Sequence, residues 1–314
     1  MSTVPAGEPG PGLRARPLAA IVLSTRPAFL TLTAVGVALG IASAAAGGVV
    51  PHASLALTTL LLALFAHAGI NLLNDWSDAE NGTDERNTTR LYPFTGGSRF
   101  IQNGVYTSGE IRRLALAFFV ATIAGGLLLA FARGAGLIAI GAAGLAIGWA
   151  YSAPPLALNA RGWGEPAVAA GMLCIVAGAD FVQRGALHAA PLAAGMPFAL
   201  LATNILFINQ FPDREADLAA GKRHWVARLA PQVAARIYVA ILIGAALALT
   251  AVIASGALPR AAAWSAIVLP AGAFAALELL RHARTPARLR PAIRATIATA
   301  LGHGALLAAI LMGA

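Results

Sequence analysis

The sequence predicts an all-α, polytopic membrane protein of nine transmembrane helices in one bundle, and three observations carry that expectation. Hydrophobic residues make up 58% of the 314-residue chain and charged residues only 11%, against about a quarter in ordinary soluble domains. Mean hydropathy is +0.74. The apolar residues gather in stretches of about 17 to 25, the length that crosses a hydrocarbon core of roughly 30 Å as a helix. This composition excludes a disordered chain, and a single cysteine, Cys174, excludes a disulfide framework or a multi-cysteine metal site.

Residues 1–26 are rich in Pro, Gly and Arg and contain no compact apolar run ending at a small-residue cleavage site. They are read as a cytosolic tail rather than a signal peptide, ahead of a single membrane domain over 27–314. Spans are expected near 27–47, 53–76, 113–132, 135–151, 166–182, 190–211, 232–256, 261–281 and 293–313. With the N-terminus in the cytosol, nineteen of the 22 Lys and Arg residues fall inside, and only Arg133, Arg184 and Arg260 fall outside. That asymmetry obeys the positive-inside rule. It places the chain as a multi-pass protein of the cytoplasmic (inner) membrane and makes the net charge of +9 a topology signal, not a nucleic-acid footprint. Glycines within spans, such as Gly141, Gly144 and Gly148, read as close helix–helix approach in preference to a ligand passage.

Eight of the 13 acidic residues sit in two groups, both at the cytosolic end of a span. Asp75, Asp78, Glu80, Asp84 and Glu85 follow the second span; Asp213, Glu215 and Asp217 follow the sixth. On a helix, His67, Asn71, Asn74 and Asp78 fall at about 0°, 40°, 340° and 20°, a single polar stripe. Polar stripes within a membrane face the bundle interior or a watery cavity. Asn209, Asp213 and Asp217 share a face in the same way, with Glu215 pointing elsewhere and Pro212 a possible kink. Carboxylates and carboxamides without cysteine or paired histidines are hard-oxygen ligands, suited to Mg²⁺ shared with substrate phosphate oxygens. Two such groups facing each other would bridge a diphosphate. Arg86 and Arg90 after the first group, and Lys222 and Arg223 after the second, are placed to contact its remaining oxygens.

These residues resemble the two aspartate-rich motifs of the UbiA superfamily of intramembrane prenyltransferases: Asn74-Asp75-x-x-Asp78 with Asp84, and Asp213-x-x-x-Asp217. The stretch from Asn71 to Asp84 and the run Asp213-Arg-Glu-Ala-Asp217-Leu-Ala-Ala-Gly-Lys222-Arg223 are most similar to the MenA branch, the 1,4-dihydroxy-2-naphthoate polyprenyltransferases. Arg26-Pro27 and Tyr151-Ser-Ala-Pro-Pro155 also match family positions, whereas His224-Trp225 departs from the pattern. The resemblance implies nine helices around a central cavity with both motifs at its cytosolic end. It implies Mg²⁺-dependent transfer of a polyprenyl group from a prenyl diphosphate to an aromatic acceptor, 1,4-dihydroxy-2-naphthoate in menaquinone biosynthesis. The implied metal set is Asn74, Asp75, Asp78, Asp84, Asp213 and Asp217, with Asn71 joining the basic residues on the diphosphate. Asp78, Asp213 and Tyr151 form the catalytic set, Tyr151 through its ring face toward an allylic cation.

Other acceptors (4-hydroxybenzoate, homogentisate, a chlorin or a lipid alcohol) remain open within the same chemistry. From another class, a membrane transporter also uses intramembrane acids, but it would carry them near mid-membrane and not at one edge. His67 reads as a hydrogen-bonded bundle histidine before a general base, and Arg26 as a topology-setting residue before a carboxylate clamp.

Overall fold

The structure, a computed structural model, describes residues 4, 5 and 7–314. The first three positions of the expected tail and its residue 6 lie outside the described residues. The helices run in chain order as α1 (Pro17–Ser24), α2 (Pro27–Ala46), α3 (Ala53–Glu80), α4 (Thr83–Arg86), α5 (Ser108–Arg133), α6 (Gly136–Ser152) and α7 (Leu158–Arg161). They continue as α8 (Gly164–Arg184), α9 (Ala190–Ala219), α10 (Trp225–Arg228), α11 (Pro231–Ala254), α12 (Leu269–His282) and α13 (Arg290–Met312). Among the described residues there is no strand.

Among the described residues, eight helical segments are long and apolar enough to cross a bilayer, counting 260–282 as one; Gly136–Ser152, at 17 residues, is a shorter apolar helix. The expected nine stretches are therefore eight full spans and one short one. The eighth stretch begins as a 3₁₀ helix over Arg260–Val268. Pro270 accounts for the change: it cannot donate to a continuing α-ladder, but it fits the first turn of a new helix. α5 starts at Ser108, five residues before the expected 113, because Thr107 and Glu110 form a capping box. α9 passes through both Pro197 and Pro212 without interruption.

Helices adjacent in sequence pack against each other in space, and α13 closes the ring against α2. Within that ring α2 also crosses α8 and α9. Gly40 is the close point of the α2–α8 crossing, where a Cβ would stand 2.2 Å from the Val176 carbonyl oxygen. Only glycine lets the two backbones approach so far. Gly148 behaves likewise, since a Cβ there would meet Ile70 at 2.3 Å. Gly141, read from sequence as a packing glycine, instead borders open space in the cavity described below. The outward faces are apolar: on α5, Phe131 is 96% exposed and Leu128 75%. Such residues suit lipid and would be a liability in water.

The described part of the N-terminal segment is folded onto the connection between α3 and α5. Glu8 pairs with Arg90 at 2.7 Å and approaches Arg99 at 3.8 Å. Arg14 reaches the Val105 carbonyl and Glu110. This segment thus braces the 81–107 connection that carries part of the acidic site.

Candidate active site

A cavity of about 700 Å³ opens between α2, α3, α5, α6, α8 and α9. His67, Asn71, Asn74 and Asp78 of α3 all line it, so the polar stripe faces inward as its helical spacing dictates. Asn209, Asp213 and Asp217 of α9 line the same cavity, and Asp84 and Asn87 reach it from α4 and the following loop. The two acidic groups, far apart in sequence, share one hollow. The rest of the wall is largely aliphatic, including Ile140, Ile147, Ile175 and Leu206.

The carboxylates are joined by a lysine. Lys222 Nζ stands 2.7 Å from Asp78 Oδ1 and 3.1 Å from Asp217 Oδ1, linking α3 to α9. Burial works against the Lys222 charge, yet the two carboxylates outweigh it and hold the ammonium above the usual lysine range. Asp217 has a second partner in His224, whose Nε2 is 3.0 Å from Oδ2. The backbone N–H of Ala227 donates to His224 Nδ1, so the ring proton is assigned to Nε2 and given to Asp217. Asp213 accepts from Asn87 Nδ2 at 2.6 Å and from the Gly96 N–H at 3.3 Å. Asn74 donates to both Asp78 and Ser152.

Asp84 is the least satisfied acid. Its Oδ2 is buried without a hydrogen-bond partner. Burial, and then the charges of Asp78 and Asp75, push its carboxyl well above the usual carboxylate range. Gly97 makes room for it: φ is +71°, and a Cβ would lie 2.3 Å from Asp84 Oδ2.

Not every residue assigned from the sequence reaches the cavity. Asp75 is buried and accepts from the Ser98 N–H, anchoring the 96–100 turn. Arg86 bonds the Asn81 carbonyl, Arg90 is taken by Glu8, and Arg223 is exposed; none of the three lines the hollow. Tyr151 does line it, as do His67, bonded to Thr33 at 2.6 Å, and Cys174. Arg26 also faces it, in a left-handed conformation (φ 58°) with its guanidinium 4.6 Å from the Phe29 ring and its Nε unpartnered. Left-handed backbone at a non-glycine residue is strained and tends to mark functional positions. The sequence analysis assigns no site role to Asn87 or His224, the latter marked by its departure from the family pattern.

The donor set is all hard oxygen on the acidic wall, and an orphaned carboxylate oxygen at Asp84 fits a divalent cation. Among the described residues no three Asp, Glu, His or Cys side chains converge on one point. The Lys222 ammonium stands between Asp78 and Asp217 instead.

Comparison with known proteins bears on this geometry. Residues 32–295 match the UbiA prenyltransferase family. The chain is 27% identical over 244 residues to the 1,4-dihydroxy-2-naphthoate octaprenyltransferase of Mycobacterium leprae, covering 77% of this chain and 79% of that protein. It is 29% identical over 268 residues to the 2-carboxy-1,4-naphthoquinone phytyltransferase of Synechocystis, covering 82% and 80%. The fold is similar to that of a UbiA homolog from Archaeoglobus fulgidus bound to GPP and Mg²⁺, with a TM-score of 0.61 at 14% identity over 94% of this chain and all of that one. A UbiA homolog from Aeropyrum pernix gives a TM-score of 0.64 at 17% identity, covering 87% and 96%. With most of its length inside the family match and its two acidic motifs on one hollow, the chain belongs to the UbiA prenyltransferases and is a membrane-embedded enzyme.

Proposed function

We propose that the enzyme transfers a polyprenyl group from its diphosphate to a dihydroxynaphthoate, a step of menaquinone biosynthesis. The observation that carries this reading is the shared cavity: Asp78, Asp84, Asp213 and Asp217 at one end, and an aliphatic hollow below them. Similarity to two enzymes named for naphthoate or naphthoquinone acceptors supports the acceptor class. A homolog of the same fold bound to GPP and Mg²⁺ supports the donor and the metal.

Asn74, Asp78 and Asp84 on one side and Asp213 and Asp217 on the other would hold Mg²⁺, with Asp75 setting the turn beside them. Bound there, the metal would supply Lewis-acid neutralisation of the departing diphosphate. The chain's own residues do the remaining work. Lys222 is already poised between the two walls and is positioned to pass to a diphosphate oxygen, with Asn71 on the same face of α3. The aliphatic wall takes the prenyl chain and keeps water from the allylic cation that forms as the C–O bond breaks. Tyr151 presents its ring to that cation. The acceptor carbon bearing the carboxylate then forms the new bond, and CO₂ leaves. Residues 27–314 act as one membrane unit, braced at its inner end by the N-terminal segment. The concentration of Lys and Arg on one side supports a cytosolic N-terminus and an active site facing the cytosol.

The experiment is a product assay. Purified enzyme receives a polyprenyl diphosphate, Mg²⁺ and either 1,4-dihydroxy-2-naphthoate or 4-hydroxybenzoate, and products are weighed by mass spectrometry. A prenylated naphthalenediol that has lost CO₂ is expected; product from the benzoate alone would reassign the acceptor.

A further inference from the structure

Beyond the acidic mouth, α9 carries a second polar wall that the diphosphate chemistry leaves unused. Asn209 and Gln210 are 9% and 7% exposed, and both line the cavity. Their side-chain oxygens, Asn209 Oδ1 and Gln210 Oε1, have no hydrogen-bond partner. Buried carbonyl oxygens are rarely left unpaired, because removing them from water without a donor is unfavourable. Two neighbours in one wall mark a place that expects donors.

Gln210 is also held in a fixed sense. Its Nε2 donates to Glu165 Oε1 at 3.0 Å, and Glu165 is itself buried at 6% exposure near the start of α8. A carboxylate only accepts, so it is the NH₂ end of the amide that must meet it. The Gln210 oxygen is thereby turned away from Glu165 and left without a donor, on a residue that lines the cavity. Glu165 does not line the cavity; it works through Gln210 as a positioning residue.

We propose that Asn209 and Gln210, the latter oriented by Glu165, form the subsite that recognises the hydroxyl groups of a dihydroxylated aromatic acceptor. The inference rests on the prenyl-transfer reading above and deepens it. Asn209 lies four residues inward of Asp213, about 6 Å of helix rise. A ring held there sits beside the first carbon of a prenyl chain whose diphosphate is at Asp213. Ring hydroxyls are the donors that both orphan oxygens lack. A quinone carbonyl or a methoxy oxygen cannot, so this wall selects the reduced, hydroquinone form of the acceptor.

The test compares 1,4-dihydroxy-2-naphthoate with 1-hydroxy-2-naphthoate in the wild type and in Gln210→Leu, Glu165→Leu and Glu165→Gln. Separate KM values are measured for acceptor and prenyl diphosphate. Differences in intrinsic ring reactivity cancel when the dihydroxy-to-monohydroxy preference of a variant is divided by that of the wild type. Loss of one such hydrogen bond is worth about tenfold. Gln210→Leu and Glu165→Leu are each expected to raise the acceptor KM about tenfold and to lower the preference by a similar factor. Glu165→Gln is expected to keep both within about threefold, because its amide oxygen can accept the same bond from Gln210. The prenyl diphosphate KM should stay within about twofold throughout. An unchanged preference, or acceptor and diphosphate KM values rising together, overturns the subsite. A wild-type enzyme that prenylates neither naphthoate overturns the underlying reading as well, and the two failures are told apart by that control. If one leucine variant does not fold, the other decides.

Discussion

Lys222 Nζ lies 2.7 Å from Asp78 Oδ1, and through this contact the loop after the second acidic motif grips the helix of the first. The same ammonium reaches Asp217 at 3.1 Å. Three charges, one from α3 and two from the end of α9 and the loop after it, thus meet on the cavity wall. If the two acidic groups hold a metal–diphosphate complex as proposed, its entry would release the lysine from its carboxylates.

Replacing this lysine separates its two roles. Lys222→Met leaves two buried carboxylates without their shared cation, which costs about 3 to 5 kcal/mol in comparable cases. Thermal unfolding in EDTA is expected to show a marked drop in Tm, and added Mg²⁺ should recover more of it than in the wild type. Turnover should fall roughly a hundredfold even with metal, since the diphosphate loses a cationic contact.

Gly97→Ala tests the placement of Asp84. The added Cβ would overlap Asp84 Oδ2 at 2.3 Å, in a left-handed backbone that alanine adopts poorly. The expected outcome is a loss of Mg²⁺ affinity of roughly ten- to a hundredfold with the helical content unchanged. Titration of activity against Mg²⁺, alongside circular dichroism, measures both.

The Asp84 carboxyl also sets a pH dependence. Its folded-state pKa is raised by burial and by the neighbouring carboxylates. Upward from about pH 4 the unfolded chain therefore ionises first, the native state holds the extra proton, and stability falls as pH climbs through that window. Mg²⁺ bound at the proposed site would oppose this by pairing the ionised form. The Tm of the EDTA-treated protein should decline with pH, and the stabilisation by Mg²⁺ should grow from pH 5.5 to 8.

The helical register of α9 gives a paired control. Glu215 is exposed, while Asp217 is buried and lines the cavity. Glu215→Ala should keep turnover within about twofold, whereas Asp217→Ala should lose roughly a hundredfold or more. Comparable losses from both would show that the acidic face is misassigned.

Much of this was readable from the sequence because helix geometry is regular. The stripe on α3 and the sharing of a face by Asn209, Asp213 and Asp217 follow from 100° steps alone, and Pro212 proved no obstacle to that register. Loops offered no such ruler. Asn87 pairs with Asp213 across 126 positions, and Glu8 takes Arg90 across 82, contacts that periodicity does not encode. His224, which stood out only as a departure from the family pattern, caps α10 through Nδ1 and bonds Asp217 through Nε2. The early start of α5 was legible in Thr107-x-x-Glu110, a capping box that a hydropathy boundary overlooks. Basic residues near an acidic group could be counted, but which of them reaches the motif carboxylates depends on the folded loop, and of Arg86, Arg90, Lys222 and Arg223 only Lys222 does.

The central claim is that the two motifs act as one clamp on a prenyl diphosphate. A double-mutant cycle with Asp78→Asn and Asp213→Asn, read as turnover of prenyl diphosphate and acceptor at saturating Mg²⁺, tests it most directly. Each single variant is expected to lose roughly two to three orders of magnitude, and the double variant little more than either alone, as groups that work as a unit behave. Near-normal turnover in either single variant, or losses that simply multiply, would contradict the clamp.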